Sequence, residues 1–187
     1  MDTQVIRYLA DFSSIPRDVN KIIFHENYDE FSDDYSHGYL SRFPSWVTHV
    51  TYNDDFNGSL DRLPYGITHL TLGSNFNRPL NRLPRGITHL TLGYSFNESL
   101  GGLPDSITHL TLGHNFDRSL GGLPNSITHL TLGHNFDRSL DELSRNIRQV
   151  TLPESYEGDV SSLLDRGVEV VRYERLVDSD DIDCVID

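Results

Sequence analysis

The sequence predicts a β-rich solenoid built on one long parallel sheet of about eight strands, with a mostly extended convex side. Two observations carry that expectation. The heptapeptide Ile-Thr-His-Leu-Thr-Leu-Gly stands unchanged at residues 67–73, 87–93, 107–113 and 127–133, always twenty residues apart. A fixed period in this range marks a stack of like coils. Within each copy, Leu70 and Leu72 alternate with His69 and Thr71, the period-two pattern of a strand with one buried face. One strand per coil, paired in parallel with the next, makes a sheet as long as the molecule. A lone coil buries too few side chains to offset the entropy of ordering it, so each needs stacked neighbours. A strand and its turns consume most of twenty residues, so the back of each coil (77–82, for example) is expected to be extended or a single turn.

Taken in order, residues 1–14 read as an N-terminal helical cap. Over 2–12, Val5, Ile6, Leu9 and Ala10 share a helical face, and Asp2 or Thr3 would cap its start. Residues 15–42 form a degenerate first coil. Ile15-Pro16 to Phe24 keeps every apolar position found from Leu63-Pro64 to Leu72. An insert at 25–39 then breaks the period, with Tyr28, Phe31 and Tyr35 among Asp29, Glu30, Asp33 and Asp34. Insertions in repeat arrays fall on loops and often mark a working surface; aromatics packed on the first coil are the other reading.

Twenty-residue repeats fill 43–162. Five coils open at Phe43, Leu63, Leu83, Leu103 and Leu123, with strands expected from Val47, Ile67, Ile87, Ile107 and Ile127. The sixth decays: Ser144 replaces Pro, Gln149 replaces His, Pro153 replaces Gly and Tyr156 replaces Phe. A capping strand lies within 163–175 and an acidic tail follows at 176–187, the whole forming one domain. Gly73 and its equivalents serve either a positive φ or a close approach. Pro153 cannot adopt positive φ, so either close packing is the reason or the sixth coil turns differently.

Composition narrows the function. A formal charge of −13 argues against nucleic acid and anionic membranes, which reward clustered Lys and Arg. Cys184 is the only cysteine, so no internal disulfide is expected, and a reducing compartment is favoured. Residues 1–14 carry Asp2 and Asp11 without an apolar run, and no stretch is long enough to span a bilayer. The expectation is a soluble cytoplasmic protein (in the host cytoplasm, if viral). No phosphate loop, zinc motif or nucleophile elbow is present, so neither enzyme activity nor a cofactor is expected.

Ile67-x-x-Leu70-x-Leu72-x-x-Asn75 is similar to the core of a leucine-rich repeat. That resemblance implies a right-handed coil, with Asn75, Asn115 and Asn135 in a buried ladder that bonds backbone groups at the bend. Phe76-Asn77-Arg78-Pro79-Leu80, followed by Leu83-Pro84-Arg85-Gly86-Ile87-Thr88-His89-Leu90, resembles the FNIP repeat, a short leucine-rich-like unit, over roughly 43–152. Asp117 and Asp137 depart from its Asn, and Ser59, Ser99, Ser119 and Ser139 from its Pro. The family occurs in social amoebae and in giant viruses that infect amoebae, often behind an F-box that links the repeats to a ubiquitin ligase. Fourteen residues precede the first coil here, so the resemblance is expected to cover the repeats and not that adaptor.

His49, His69, His89, His109 and His129 should form a row on the exposed sheet face, one strand spacing of ~4.8 Å apart. A straight row does not converge tetrahedrally and holds no carboxylate or cysteine, so no metal is expected. Mutual repulsion should lower the pKa of the inner members, His69, His89 and His109. Thr51, Thr71, Thr91, Thr111, Thr131 and Thr151 form a parallel row, and His114 and His134 are expected on the surface. The sequence thus points to a non-enzymatic protein-interaction module. Its candidate contacts are His49, His69, Thr71, His89, Thr91, His109, Thr111 and His129 on the sheet, with Tyr28, Phe31 and Tyr35 in the insert. The alternative is a structural scaffold or a solenoid that self-associates through its sheet ends or its insert.

Overall fold

The computed structural model describes residues 2–6, 15–24, 44–61 and 63–174. Its strands are β1 (Asp2–Ile6), β2 (Val19–Phe24), β3 (His49–Tyr52), β4 (His69–Leu72), β5 (His89–Leu92), β6 (His109–Thr111), β7 (His129–Thr131), β8 (Gln149–Pro153) and β9 (Glu169–Tyr173). All nine are parallel and lie in chain order in one sheet. The described helix is a single five-residue turn, α1 (Ser161–Asp165), in the last coil.

Each regular coil turns three corners, and each corner closes on an apolar residue that is buried or, at Leu123, partly buried. Phe76 N–H donates to Gly73 O at 3.3 Å and Ile67 N–H to Pro64 O at 3.4 Å; Leu63 N–H donates to Leu60 O at 3.3 Å. Proline suits the corner because only its carbonyl is needed there. The turn also explains why β4 starts at His69 and not at Ile67, as the sequence suggests. Ile67 is the last residue of the corner, and the ladder opens two residues later. Ile67, Leu70, Leu72, Phe76, Leu80 and Leu83 are all buried and belong to one continuous core.

Eight of the strands match the sequence expectation, and the ninth corrects it. Residues 2–6 are strand β1, paired with β2, where a helical cap was expected. Thr3, Val5 and Ile6 are β-branched, and the open edge of β2 offers a row of backbone partners that a short helix cannot match. The rest of the expected cap (7–14), the insert with Tyr28, Phe31 and Tyr35, and the tail (176–187) lie outside the described residues.

The glycine that ends each strand is there for space. A Cβ on Gly93 would lie 2.3 Å from Gly73 O, one on Gly113 2.1 Å from Gly93 O, and one on Gly133 2.0 Å from Gly113 O. Among the described residues, positive φ occurs only at Gly102, Gly122 and Gly167. The sixth coil also turns differently: β8 runs on through Pro153, which pairs with Tyr173 of β9.

The polar ladder at the next corner stands two residues beyond its expected place. Asn75 N–H and Asn135 N–H already donate to the preceding coil, at Asp54 O (2.8 Å) and His114 O (2.9 Å). Both side chains are therefore left exposed at the rim. The backbone-bonding oxygens belong to the residue after the phenylalanine. Asn77 N–H donates to Asn57 Oδ1 at 3.0 Å, Asn97 N–H to Asn77 Oδ1 at 2.9 Å, and Asp117 N–H to Asn97 Oδ1 at 3.1 Å. Asn and Asp both supply that acceptor, which is why Asp117 is tolerated.

The coils do not stack straight. Imidazole centroids of successive coils on the open sheet face are 3.9–4.3 Å apart. Successive phenyl centroids in the core are 6.0–6.3 Å apart. Pure translation would give equal spacings, so the coils fan open towards the phenylalanines and the histidine face lies inside the bend.

Replacing Gly113 by Ala forces the backbone of two coils apart and should cost on the order of 3 kcal/mol or more. Gly101 has no positive φ, and a Cβ there would meet only the Ser99 hydroxyl, at 3.4 Å, so Gly101→Ala should be within about 1 kcal/mol of wild type. Urea unfolding of both variants checks this; equal midpoints would contradict the close-approach role.

Candidate functional site

The alternation of β3 to β7 turns Leu70 and its equivalents into the core and leaves histidine and threonine on the other face. Register then sets like on like: His49, His69, His89, His109 and His129 are successive partners, as are Thr51, Thr71, Thr91, Thr111 and Thr131. The five imidazoles form one half-buried stack, with neighbouring planes within 5–14° of parallel. The sheet residues proposed from sequence are thus brought together in two adjacent rows.

The threonine before each histidine, not among the candidates from sequence, orients the ring. Thr68 Oγ1 lies 2.8 Å from His69 Nδ1, and Thr48, Thr88, Thr108 and Thr128 repeat that contact at 2.8–2.9 Å. Thr68 Oγ1 is also 3.3 Å from Thr48 O, which already accepts the N–H groups of Thr68 (2.8 Å) and His69 (3.0 Å). A hydroxyl has one hydrogen and the Nδ1 contact is the shorter of its two, so with a neutral ring the hydrogen goes to Nδ1 and the ring carries its own on Nε2, the carbonyl being the longer alternative acceptor. Among the described residues Nε2 has no partner. A sequence signal for this role exists: Thr precedes His in every copy of the heptapeptide.

Register also names the ends of the row. Lys21 on β2 pairs with His49, and Gln149 on β8 pairs with His129. Beyond it stands Glu169 on β9, whose Oε2 accepts Gln149 Nε2–H at 3.0 Å. β3 to β7 carry no Asp or Glu.

The stack lowers the pKa of His49, His69, His89 and His109. His69 is pushed down to about 4, first by burial and then by charge on His49, His89 and His109. Burial is also the first cause for His49, His89 and His109, with Lys21 and neighbouring imidazoles adding to it. Repulsion, expected to dominate, therefore comes second.

Near-parallel rings point their outer nitrogens in one direction, and a metal needs them to converge. Among the described residues no group of three or more His, Cys, Asp or Glu side chains is placed to hold a metal ion. A second, shorter stack lies just past the strand ends, where Tyr94, His114 and His134 follow one another at 4.5 and 5.2 Å.

Residues 59–95, 81–115 and 96–133 match the family model of the FNIP repeat. A solved structure described as CroV588, a circular leucine-rich-repeat protein of a giant virus, is 22% identical and superposes with a TM-score of 0.61. The match covers 93% of this chain and 29% of that one, and at this identity it shows a shared fold. No curated protein sequence matches the chain. No helix among the described residues is long and apolar enough to cross a membrane.

A folded pKa below the unfolded value of ~6.5 means that the unfolded chain binds more protons. The stability held by the row is complete above that value and is lost as pH falls towards about 4. His69→Gln should therefore flatten the fall in melting temperature over this window relative to wild type. Parallel thermal melts across the window check it; identical slopes would mean that His69 titrates alike folded and unfolded.

Proposed function

We propose that the chain, whose residues 59–133 match the FNIP repeat and whose sheet faces the inside of a bend, is a non-enzymatic protein-interaction module that holds its partner on that concave face. The supporting observation is the open stack of His49, His69, His89, His109 and His129 beside Thr71, Thr91 and Thr111, which no described element covers. Solenoids recognise partners through extended concave surfaces of this kind. The chain is read as an arc, in keeping with the circular protein whose fold it shares. The single cysteine, Cys184, fits a reducing compartment, and the proposal places the protein in the cytoplasm.

Self-association through the C-terminal sheet end is disfavoured by Arg172. It occupies the register position of the buried Leu152, lies 5.7 Å over the Tyr156 ring, and donates to Pro153 O and Tyr156 O at 3.2 and 2.7 Å. A charge laid over the Tyr156 ring disfavours stacking of a further coil at this point.

A photo-crosslinking residue at Thr91 or Thr111 should capture the same protein from the source cell at neutral pH, whereas one at the convex, exposed Ser119 should not. Equal capture from both sides, or capture from Ser119 alone, would overturn the assignment of the face.

A further inference from the structure

We propose that the imidazole row is a proton-coupled docking strip for an extended acidic peptide of the partner, lying along the row with its carboxylates against the imidazole Nε2 atoms. This deepens the reading of the concave face as the partner surface and rests on it.

The strip is segregated from the charge of the rest of the molecule. The chain carries a formal −13, yet the open face of β3 to β7 presents only His and Thr. The other charged groups in register with the row are Lys21 at one end, beside His49, and Glu169 at the other. Glu169 is separated from the imidazoles by Gln149, whose amide it binds. Five basic rings therefore stand together, and no described carboxylate pairs any of them. An acidic ligand would supply the counter-charge that a protonated ring has from no described residue.

The bend concentrates the effect, because it draws the rings to 3.9–4.3 Å, closer than strand spacing. Side chains on one face of an extended peptide recur about every 6.6 Å, so roughly two carboxylates meet three rings. The row then need not charge every ring to satisfy the ligand, which limits repulsion among neighbours.

The threonines make protonation reversible without breaking the array. A proton from solvent adds to the ring at Nδ1, which turns from acceptor to donor towards the threonine Oγ1. The hydroxyl hydrogen swings to the carbonyl of the preceding coil, 3.2–3.3 Å away. The imidazolium of His69, His89, His109 or His129 keeps its anchor, and its Nε2–H remains directed at the ligand. Binding and proton uptake are thereby linked, and affinity should rise about tenfold per proton taken up for each pH unit of acidification below the free-residue value.

The test is calorimetric titration of the full chain with a short poly-L-glutamate at about pH 5.5 and about pH 7.5, which bracket the free-residue value of ~6.5. Buffers of different ionisation heat count the protons. Expected are proton uptake and binding at least about tenfold tighter at the lower pH. The triple variant His69→Gln, His89→Gln, His109→Gln should lose the pH dependence; Gln149 already occupies the equivalent position on β8, so the strand accepts that side chain. Should the variant not fold at neutral pH, imidazole NMR shifts of the wild type on adding polyglutamate read the same contact. No binding at the lower pH, equal binding at both, or unmoved imidazole signals would overturn the proposal. Binding of inorganic polyphosphate without polyglutamate would overturn the peptide assignment. A partner crosslinked at Thr91 with no polyglutamate binding would overturn only the acidic ligand and leave the interaction face standing.

Discussion

Every feature of this molecule depends on the stacking of each residue on its own copy twenty positions along the chain. The tightest expression of that constraint is the strand end, where each coil's carbonyl occupies the space a Cβ would take on the glycine of the next. Glycine is kept there because the coils must touch backbone to backbone. The same offset lets Asn57, Asn77 and Asn97 satisfy the N–H of the next coil's equivalent residue, and it sets each phenylalanine against the next in the core. A chain with so little regular structure on its convex side meets its backbone hydrogen-bonding needs largely through neighbours, so the coil has no independent stability.

The fan of the coils links this packing to function. Phenyl rings in the core stand farther apart than the imidazoles of the open face, so the phenylalanine side spreads and the sheet side closes. The closing gathers five imidazoles into a stack tighter than strand spacing. Burial and mutual proximity together lower the pKa of His49, His69, His89 and His109, while Thr48, Thr68, Thr88, Thr108 and Thr128 hold each ring at the same angle. The surface is consequently polar, ordered and uniform, and its charge is set by proton activity. Recognition there rests on a repeated array more than on a unique set of contacts.

Much of the fold was legible because period and alternation are strong, local signals. Leu70 and Leu72 against His69 and Thr71 place the strands, the faces and the core, and the five-histidine row follows from the offset alone. What the sequence conceals depends on pairing across coils. Val5 and Ile6 suit one face of a helix, yet residues 2–6 form a strand because the edge of β2 is available. The strands start two residues later than their pattern suggests, because Ile67 looks like strand while its N–H belongs to the Pro64 turn. The ladder expected at Asn75 bonds no backbone because N–H groups at that corner find carbonyls first; its side chains pair with one another, as Asn135 Nδ2–H does with Asn115 Oδ1, and Asn57 and its equivalents serve the backbone instead. Thr88 reads as generic β-branched filler until its hydroxyl is seen 2.9 Å from His89 Nδ1. The roles of Lys21 and Glu169 arise only from register, since neither lies in a regular repeat.

Unequal spacing on the two faces is the physical root of both the bend and the imidazole stack. Small-angle X-ray scattering of a chain lengthened by several further copies of residues 103–122 tests it most directly. A fanned stack should bow, so the maximum dimension should grow by progressively less than the ~4.8 Å per coil of a straight parallel ladder. Growth by that full increment for every added coil would show a straight solenoid, and would contradict a concave histidine face.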